Sequence, residues 1–496
     1  MSRIQTNVPS LLAQRTLNQN TRELNTSLER LSTGFRINRG ADDPSGLIAS
    51  ENLRSEQASI TAAIDNAERA ELVVNIAEGG LQEVNNLLLE VQGLIGASAN
   101  EAGLSGAERE ANQLEIDSII QTIDRISSTT SFQGTRLLNG NFDFQTTGAD
   151  AADVSDVTVN AALLQFDGER AIDVQVTGAA ERAGAVLDLG ATTVNPDPGE
   201  SFSFEVAGRE GSREFTFGSG ATVDDVAEAI NTFTDVTGVT ASAAGNTVSF
   251  LSTGFGDDEF VEVDVTGLNG QGGDIAQLSG SVASTVDTQA LAAVTGTVRD
   301  EGVDVTANIN GVQARTEGLN VSVSTDFLDV EIDLTEAGGT TTGTVDAGTI
   351  TGGGANFNLG PQVNIGNQVS IGIGNIAARN LGSQESGFLS ELAAGASANV
   401  VDGDLGRAQR IVNDAIEDVT SLRGRLGAFQ ANTVGASIRS LGVALENTSA
   451  AESSIRDTDF AEETSALTRA QVLQQSATNI LSLANSAPQS ALSLLG

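Results

Sequence analysis

Between residues 53 and 95 an apolar side chain returns at every seventh position without a gap: Leu53, Ile60, Ala67, Val74, Leu81, Leu88 and Ile95. A second row, Ala63, Ala70, Ala77, Val84 and Val91, sits three residues after members of the first. Alternating steps of three and four residues hold a narrow seam on one side of an α-helix, and a seam of that kind is stable only when other helices cover it. The small residues of the second row allow a partner backbone to come close, and no proline interrupts the run. The chain must therefore contain one very long helix with partners along its length.

Both ends of the chain supply candidates. Ile4, Val8, Leu11, Leu17, Leu24, Leu28 and Leu31 follow mostly three-and-four spacing, which predicts a first helix ending at Gly34 or near Gly40. A turn-like Gly40–Gly46 segment separates it from the long helix. Ile116, Ile119, Ile123 and Ile126 predict a helix that folds back after the loop at Glu101–Gly106. At the far end, Ala415, Val419, Leu422, Leu426 and Phe429 form one stripe, and Leu473, Ala477, Ile480, Ala484, Ala487, Ala491 and Leu494 form another. Neither end has enough long helices to close a bundle alone, so the N-terminal helices are expected to pair with the C-terminal ones. The outermost stripes are narrow and rich in Ala. They are expected to stay loose in a single chain and to order when neighbouring copies cover them.

The composition changes near residue 140 to Gly, Thr, Val and Asp, and changes back near residue 400. Alternation at Phe202–Val206, Glu214–Phe217 and Thr247–Phe250 predicts strands, as do Val303–Ile309, Leu319–Val323, Val330–Leu334 and Val369–Ile373. Between the second and third of these lies a short helix, with Thr222 as its cap, Asp225 three residues on, and Val226 and Ile230 on its apolar face. The fold class is α+β: a paired N- and C-terminal coiled-coil helical core with a β-rich inserted outer region.

What the chain lacks narrows its chemistry. His, Cys, Lys, Tyr and Trp are absent, so acid, base or nucleophile work would fall to Asp, Glu and unactivated hydroxyls. No cofactor or metal is expected, and carboxylates merely close in sequence do not make a metal site. The formal net charge is −41, while residues 1–40 carry six Arg against two Glu. Most of the acid falls between residues 141 and 400, in runs such as Asp257–Glu259, which suit a solvated outer surface and argue against nucleic acid as a partner. No apolar run is long enough for membrane insertion, and the N-terminus has no cleavable signal pattern. Gly372-Ile-Gly374-Asn-Ile-Ala377 matches a dinucleotide fingerprint by letters alone, without the βαβ unit that gives it meaning.

Two long segments carry a resemblance. Ser27–Ile60, containing RLSTGFRINRGADDPSG, resembles the N-terminal signature of bacterial flagellins, and Leu422–Gly496 resembles their C-terminal signature. Ser201–Phe255 is similar to a β-rich insert of some flagellins and hook-type proteins. The resemblance implies a subunit that polymerises with itself into the flagellar filament. The polymerisation core would comprise Ile4, Val8, Leu11, Leu17, Leu24, Leu28, Leu31, Leu473, Ala477, Ile480, Ala484 and Leu494. The inner coiled coil would comprise Leu53, Ile60, Ala67, Val74, Leu81, Leu88, Ile95, Leu422, Leu426 and Phe429. Domains would follow as 1–44 with 456–496 (terminal core, disordered in the monomer), 45–165 with 352–455 (inner-tube helices with a β-hairpin), and 166–351 (variable outer region, including a ββαββ unit near 200–265).

The same resemblance implies an extracellular filament reached through the type III flagellar export apparatus without a cleaved signal peptide. A C-terminal export chaperone would hold Leu467–Leu495, and the hook-filament junction and cap proteins would be partners. A patch read by the animal toll-like receptor for flagellin maps to Leu89, Glu90, Leu94 and Glu115; stimulatory members carry Gln and Arg at the first two positions, so weak recognition is expected. Alternatives are the hook-filament junction protein, which shares the terminal helices, and a filament subunit with an adhesive outer domain. A zinc protease in the outer domain, known in some flagellins, is excluded by the absence of His.

Overall fold

A computed structural model describes residues 6–100, 103–164, 168–278, 285–293, 296–384 and 386–493. Its main helices are α1 (Val8–Thr33), α2 (Pro44–Ser98), α3 (Gly106–Thr129), α4 (Val223–Asn231), α5 (Leu405–Ala428), α6 (Gly435–Arg456) and α7 (Phe460–Ser493). A π-helical segment, Phe429–Val434, joins α5 to α6.

The helix ends are specified locally. Gly34 adopts φ 77° and donates its N–H to the Arg30 carbonyl, stopping α1 as the glycine rule requires. Asp43 starts α2 by accepting the Gly46 N–H at 2.9 Å, with Pro44 in the first turn. That hydrogen bond, the Ser45 hydroxyl and the nearby Arg36 hold the Asp43 carboxyl below its ordinary range. Gly46 itself is dictated by space, because a Cβ there would lie 2.5 Å from the Asp43 carboxylate and 2.7 Å from Ile37. Ser105 and Glu108 form a reciprocal capping box on α3, and Thr222 and Asp225 form one on α4.

The chain folds as two compact units. The first holds the described residues of Met1–Leu72, Asn358–Asn367 and Ala428–Gly496. In it α1 runs antiparallel to α7: Asn7 Nδ2 donates to the Ala484 carbonyl at 2.8 Å, Asn20 Nδ2 to the Leu473 carbonyl at 3.1 Å, and Arg30 lies 3.6 Å from Glu463. The start of α2 runs antiparallel to α6, with Gln430 Nε2 bonded to Glu71 and Arg456 paired with Glu51. Ile60, Ala63 and Leu441 form the apolar centre of that pair.

The second unit holds Val73–Phe357 and Gln368–Gly427. Within it the rest of α2 runs antiparallel to α5, joined by Arg423–Glu78 at 2.8 Å and Gln92–Asn413 at 2.8 Å. The fold-back of α3 is fixed by Asn112 Nδ2 donating to Ser98 Oγ at 3.0 Å. Along α2 the side chains of Ile60, Ala63, Ala67, Ala70, Val74, Ala77, Leu81, Val84, Leu88, Val91 and Ile95 are all buried, and Leu53 is half-buried. Leu422, Leu426 and Phe429 are buried as well.

The β-rich region consists of two modules, one inside the other. The outer one in sequence has a five-stranded sheet (Phe144–Thr147, Arg170–Gly178, Thr306–Ile309, Val312–Gln313, Gly343–Gly353) and a four-stranded sheet (Val154–Ala162, Arg315–Glu317, Asn320–Thr325, Leu328–Leu334). The nested one, inserted between Gly178 and Thr306, has a five-stranded sheet (Gly184–Asp188, Val239–Ala244, Thr247–Ser252, Asp274–Leu278, Thr285–Ala290) and a four-stranded sheet (Ser201–Gly208, Gly211–Gly218, Phe260–Gly267, Val298–Glu301). The strand pairs of all four sheets are antiparallel, and each module encloses its own core.

Two strand expectations need correction. Val303–Ile309 is not one strand: Val303 forms an isolated bridge with Glu181 where the chain leaves the nested module, and the strand begins at Thr306. The strand expected to end at Ile373 ends at Ile371, and Ile373 instead bridges to Phe142. Residues 375–380 are coil and turn, so the fingerprint letters there do not open a phosphate-binding helix terminus.

Candidate assembly interface

The paired terminal helices are held by small and polar residues. Along α1 the buried side chains are Ser10, Ala13, Asn20 and Ser27, with Leu17, Leu24 and Leu31 half-buried between them. Along α7 the matching row is Glu463, Leu467, Ala470, Gln474, Ala477, Leu481 and Ala484, in unbroken steps of four and three. Small side chains let the backbones of the two helices approach closely along the pair. At so short a separation side chains can reach the opposite backbone, as Asn7 and Asn20 do, and Ser10 Oγ donates to Asn485 Oδ1 at 2.7 Å.

The structure splits the apolar stripes read from the sequence. Leu17, Leu24, Leu31, Ala477 and Ala484 lie in or beside the seam, whereas Val8, Leu11 and Leu28 point away from it, with Val8 59% exposed and Leu11 58%. On α7, Leu473 and Ile480 are exposed, joined by Val472 and Leu483, the last 72% exposed. Leu12 adds to the uncovered face of α1. Ile4 and Leu494 lie outside the described residues. A helical pair with many of its large apolar groups facing outward cannot bury them by itself.

The short linkers beside this pair are zipped together. The Arg36 N–H donates to the Arg456 carbonyl at 2.7 Å, the Thr458 N–H donates to the Gly34 carbonyl at 2.9 Å, and Phe35 bridges to Asp457. The Arg456 guanidinium lies 4.5 Å over the Phe35 ring, and Ile37 is fully buried nearby. This explains why RLSTGFRINRGADDPSG is so particular a string: it encodes a helix stop, a two-stranded clasp, a buried anchor and a helix start in succession.

In the second unit, carboxylates of α5 hold the short hairpin that contains Gly382 and Ser383. Asp418 accepts the Gly382 N–H at 2.9 Å, and Asp414 accepts from the hydroxyls of Ser383 and Ser386. Although Asp418 keeps contact with solvent, the protein crowded around its carboxylate pushes its pKa up to about 6, helped by Asp414, Glu417 and Asp156. Burial likewise raises Asp143. Burial draws Arg425 down, opposed by Asp329, Glu331, Asp143 and Asp418 around it.

Leu89 and Glu90 are exposed on α2, Leu94 is half-buried, and Glu115 is exposed on α3. Among the described residues no group of three or more His, Cys, Asp or Glu could hold a metal ion, and no helix is long and apolar enough to cross a membrane. The polar and small seam of the terminal pair was missed by reading hydrophobicity alone; the seven-residue recurrence of Ala13, Asn20 and Ser27 beside Leu17, Leu24 and Leu31 was the signal available for it.

Comparison with known proteins agrees with this architecture. Residues 4–143 match the bacterial flagellin N-terminal helical region, residues 410–495 the bacterial flagellin C-terminal helical region, and residues 201–253 the flagellin hook IN motif. The chain is 31% identical over 512 residues to the B-type flagellin of Pseudomonas aeruginosa, covering 99% of each chain. It is 30% identical over 521 residues to the flagellin of Salmonella typhimurium, again covering 99% of each, and 29% identical over 496 residues to flagellin B of Vibrio cholerae, with the same coverage. With paired terminal helices around a β-rich insert and full-length relatives at this identity, the chain belongs to the bacterial flagellins: it is a structural subunit of the flagellar filament, not an enzyme.

Proposed function

We propose that the α1–α7 pair is the polymerising element, and that neighbouring copies cover the apolar side chains it leaves exposed. The observation that carries this reading is the outward set Val8, Leu11, Leu12, Leu28, Val472, Leu473, Ile480 and Leu483 on a pair whose fully buried seam residues are mostly Ala, Ser and Asn. Ordering two helices costs backbone entropy that so small a seam does little to offset, so the pair is marginal in the monomer and firm in the polymer. Residues 1–44 with 456–496 then form the filament core, 45–165 with 352–455 the inner tube, and 166–351 the outer surface that carries most of the net negative charge.

We infer the finer partners from what the family resemblance implies. The chain travels through the type III flagellar export apparatus to an extracellular filament, with a C-terminal chaperone on Leu467–Leu495 beforehand, and meets the hook-filament junction and cap proteins at the filament ends. Leu89 and Glu90 present an apolar group and an anion, and an interface built for a cation there is left without its partner, which supports weak recognition by the innate receptor.

Hydrogen exchange tests the assembly reading. Amides of α1 and α7 should exchange about tenfold or more faster than those of Val73–Ser98 in the monomer, and should become protected in filaments. Equal protection of α1 and α7 in monomer and filament would overturn it.

A further inference from the structure

Between residues 141 and 400 there are 37 Asp and Glu against 7 Arg, so an Arg without a carboxylate partner is out of place in this part of the chain. One lies in a cleft of about 340 Å³, where the end of α3 meets the hairpin Ser131–Arg136 and the turn at residues 375–379. Asp124, Ser127, Arg136, Asn139, Asn375 and Arg379 line it. Most of its polar groups are committed within the chain. Asp124 accepts the Ala378 N–H at 2.9 Å, Ser127 Oγ donates to the Leu138 carbonyl at 2.8 Å, and Asn375 Oδ1 accepts the Ala377 N–H at 3.0 Å.

Arg136 and Arg379 are different. Both are exposed, and neither makes an ion pair among the described residues. Two guanidinium groups against one carboxylate leave the cleft net positive in a chain of net charge −41. Guanidinium groups bind carboxylates through paired, charge-assisted hydrogen bonds, and a cleft raises the strength of such bonds over that of an open surface.

We propose that this cleft receives a carboxylate side chain of a neighbouring copy in the filament. The occupant follows from charge: each copy carries a large excess of Asp and Glu, and copies that repel one another at long range need cationic notches where they touch. The inference rests on the chain being a filament subunit, and growth of the unaltered chain in the same assay checks that premise separately.

The chain has no Cys, so Arg379→Cys introduces a single thiol whose reaction with a maleimide reports on the cleft. The variant is labelled as monomer, and also after growth as a trace component of wild-type filaments. The expected result is labelling about tenfold or more slower in the filament. A second variant, Arg136→Glu with Arg379→Glu, should keep the monomer's melting temperature and raise the critical concentration for growth about tenfold at low salt, with a smaller effect at high salt. Equal labelling in both states, with an unchanged critical concentration, would mean that the two Arg serve only the end of α3. Slower labelling of the monomer in citrate without protection in filaments would mean a small-anion site. Either result overturns the proposal.

Discussion

Replacing Leu473 and Ile480 with serine should stop filament growth and leave the monomer's melting unchanged. Ile480 is 58% and Leu473 42% exposed in the single chain, so the monomer loses little when they become polar. In the polymer each side chain covered by a neighbour contributes roughly 1.5 to 3 kcal/mol, and the pair therefore changes the critical concentration by a factor of about one hundred or more. Sedimentation of seeded growth reactions, beside thermal melting of the monomer, measures both quantities. Polymer at unchanged concentration would mean that neighbouring copies do not use this face.

The second large effect belongs to the nested β module. Phe204→Ala should destabilise that module by about 3 to 5 kcal/mol. Phe204 is fully buried, with ring centroids 5.3 Å from Phe202, 5.9 Å from Phe217 and 6.1 Å from both Phe215 and Phe250. In a chain whose only aromatic residue is Phe, this cluster has no substitute. Calorimetry should show one transition moved to lower temperature. Seeded growth should survive, because the module is an insertion far in sequence from α1 and α7. Loss of growth together with the transition would tie the module to assembly after all.

How much of this was legible in the sequence depends on which physical signal each part leaves. The seam of α2 was plain because a helix buried along one line must repeat every seven residues, and Ile60 to Ile95 do so. The cap at Thr222 was legible for a similar reason, since it is set by one residue and its immediate neighbours, whereas the stop at Gly34 was one of two ends the sequence allowed. The terminal pair was harder. Hydrophobic periodicity finds the face with the largest apolar groups, and on α1 and α7 part of that face is the one left uncovered. The seam between the helices uses Ser10, Ala13, Asn20 and Ser27 against Ala470, Ala477 and Ala484, residues that carry weak signals but allow close backbones and hydrogen bonds across the pair. The nesting of one β module inside the other was not legible, because strand pairing over more than a hundred residues leaves no local pattern. The cleft at Arg136 and Arg379 escaped for the same reason: the two residues are far apart in sequence and meet only through the fold.

The central claim is that the ends of the chain, α1 and α7 with their uncovered apolar faces, drive assembly. Its most direct test is electron microscopy of purified monomer seeded with filament fragments, beside a version trimmed of residues 1–40 and 456–496. Long helical filaments from the full chain and none from the trimmed one is the expected result. Filaments of normal length from the trimmed chain would contradict the claim, and would move the assembly interface to the inner helices.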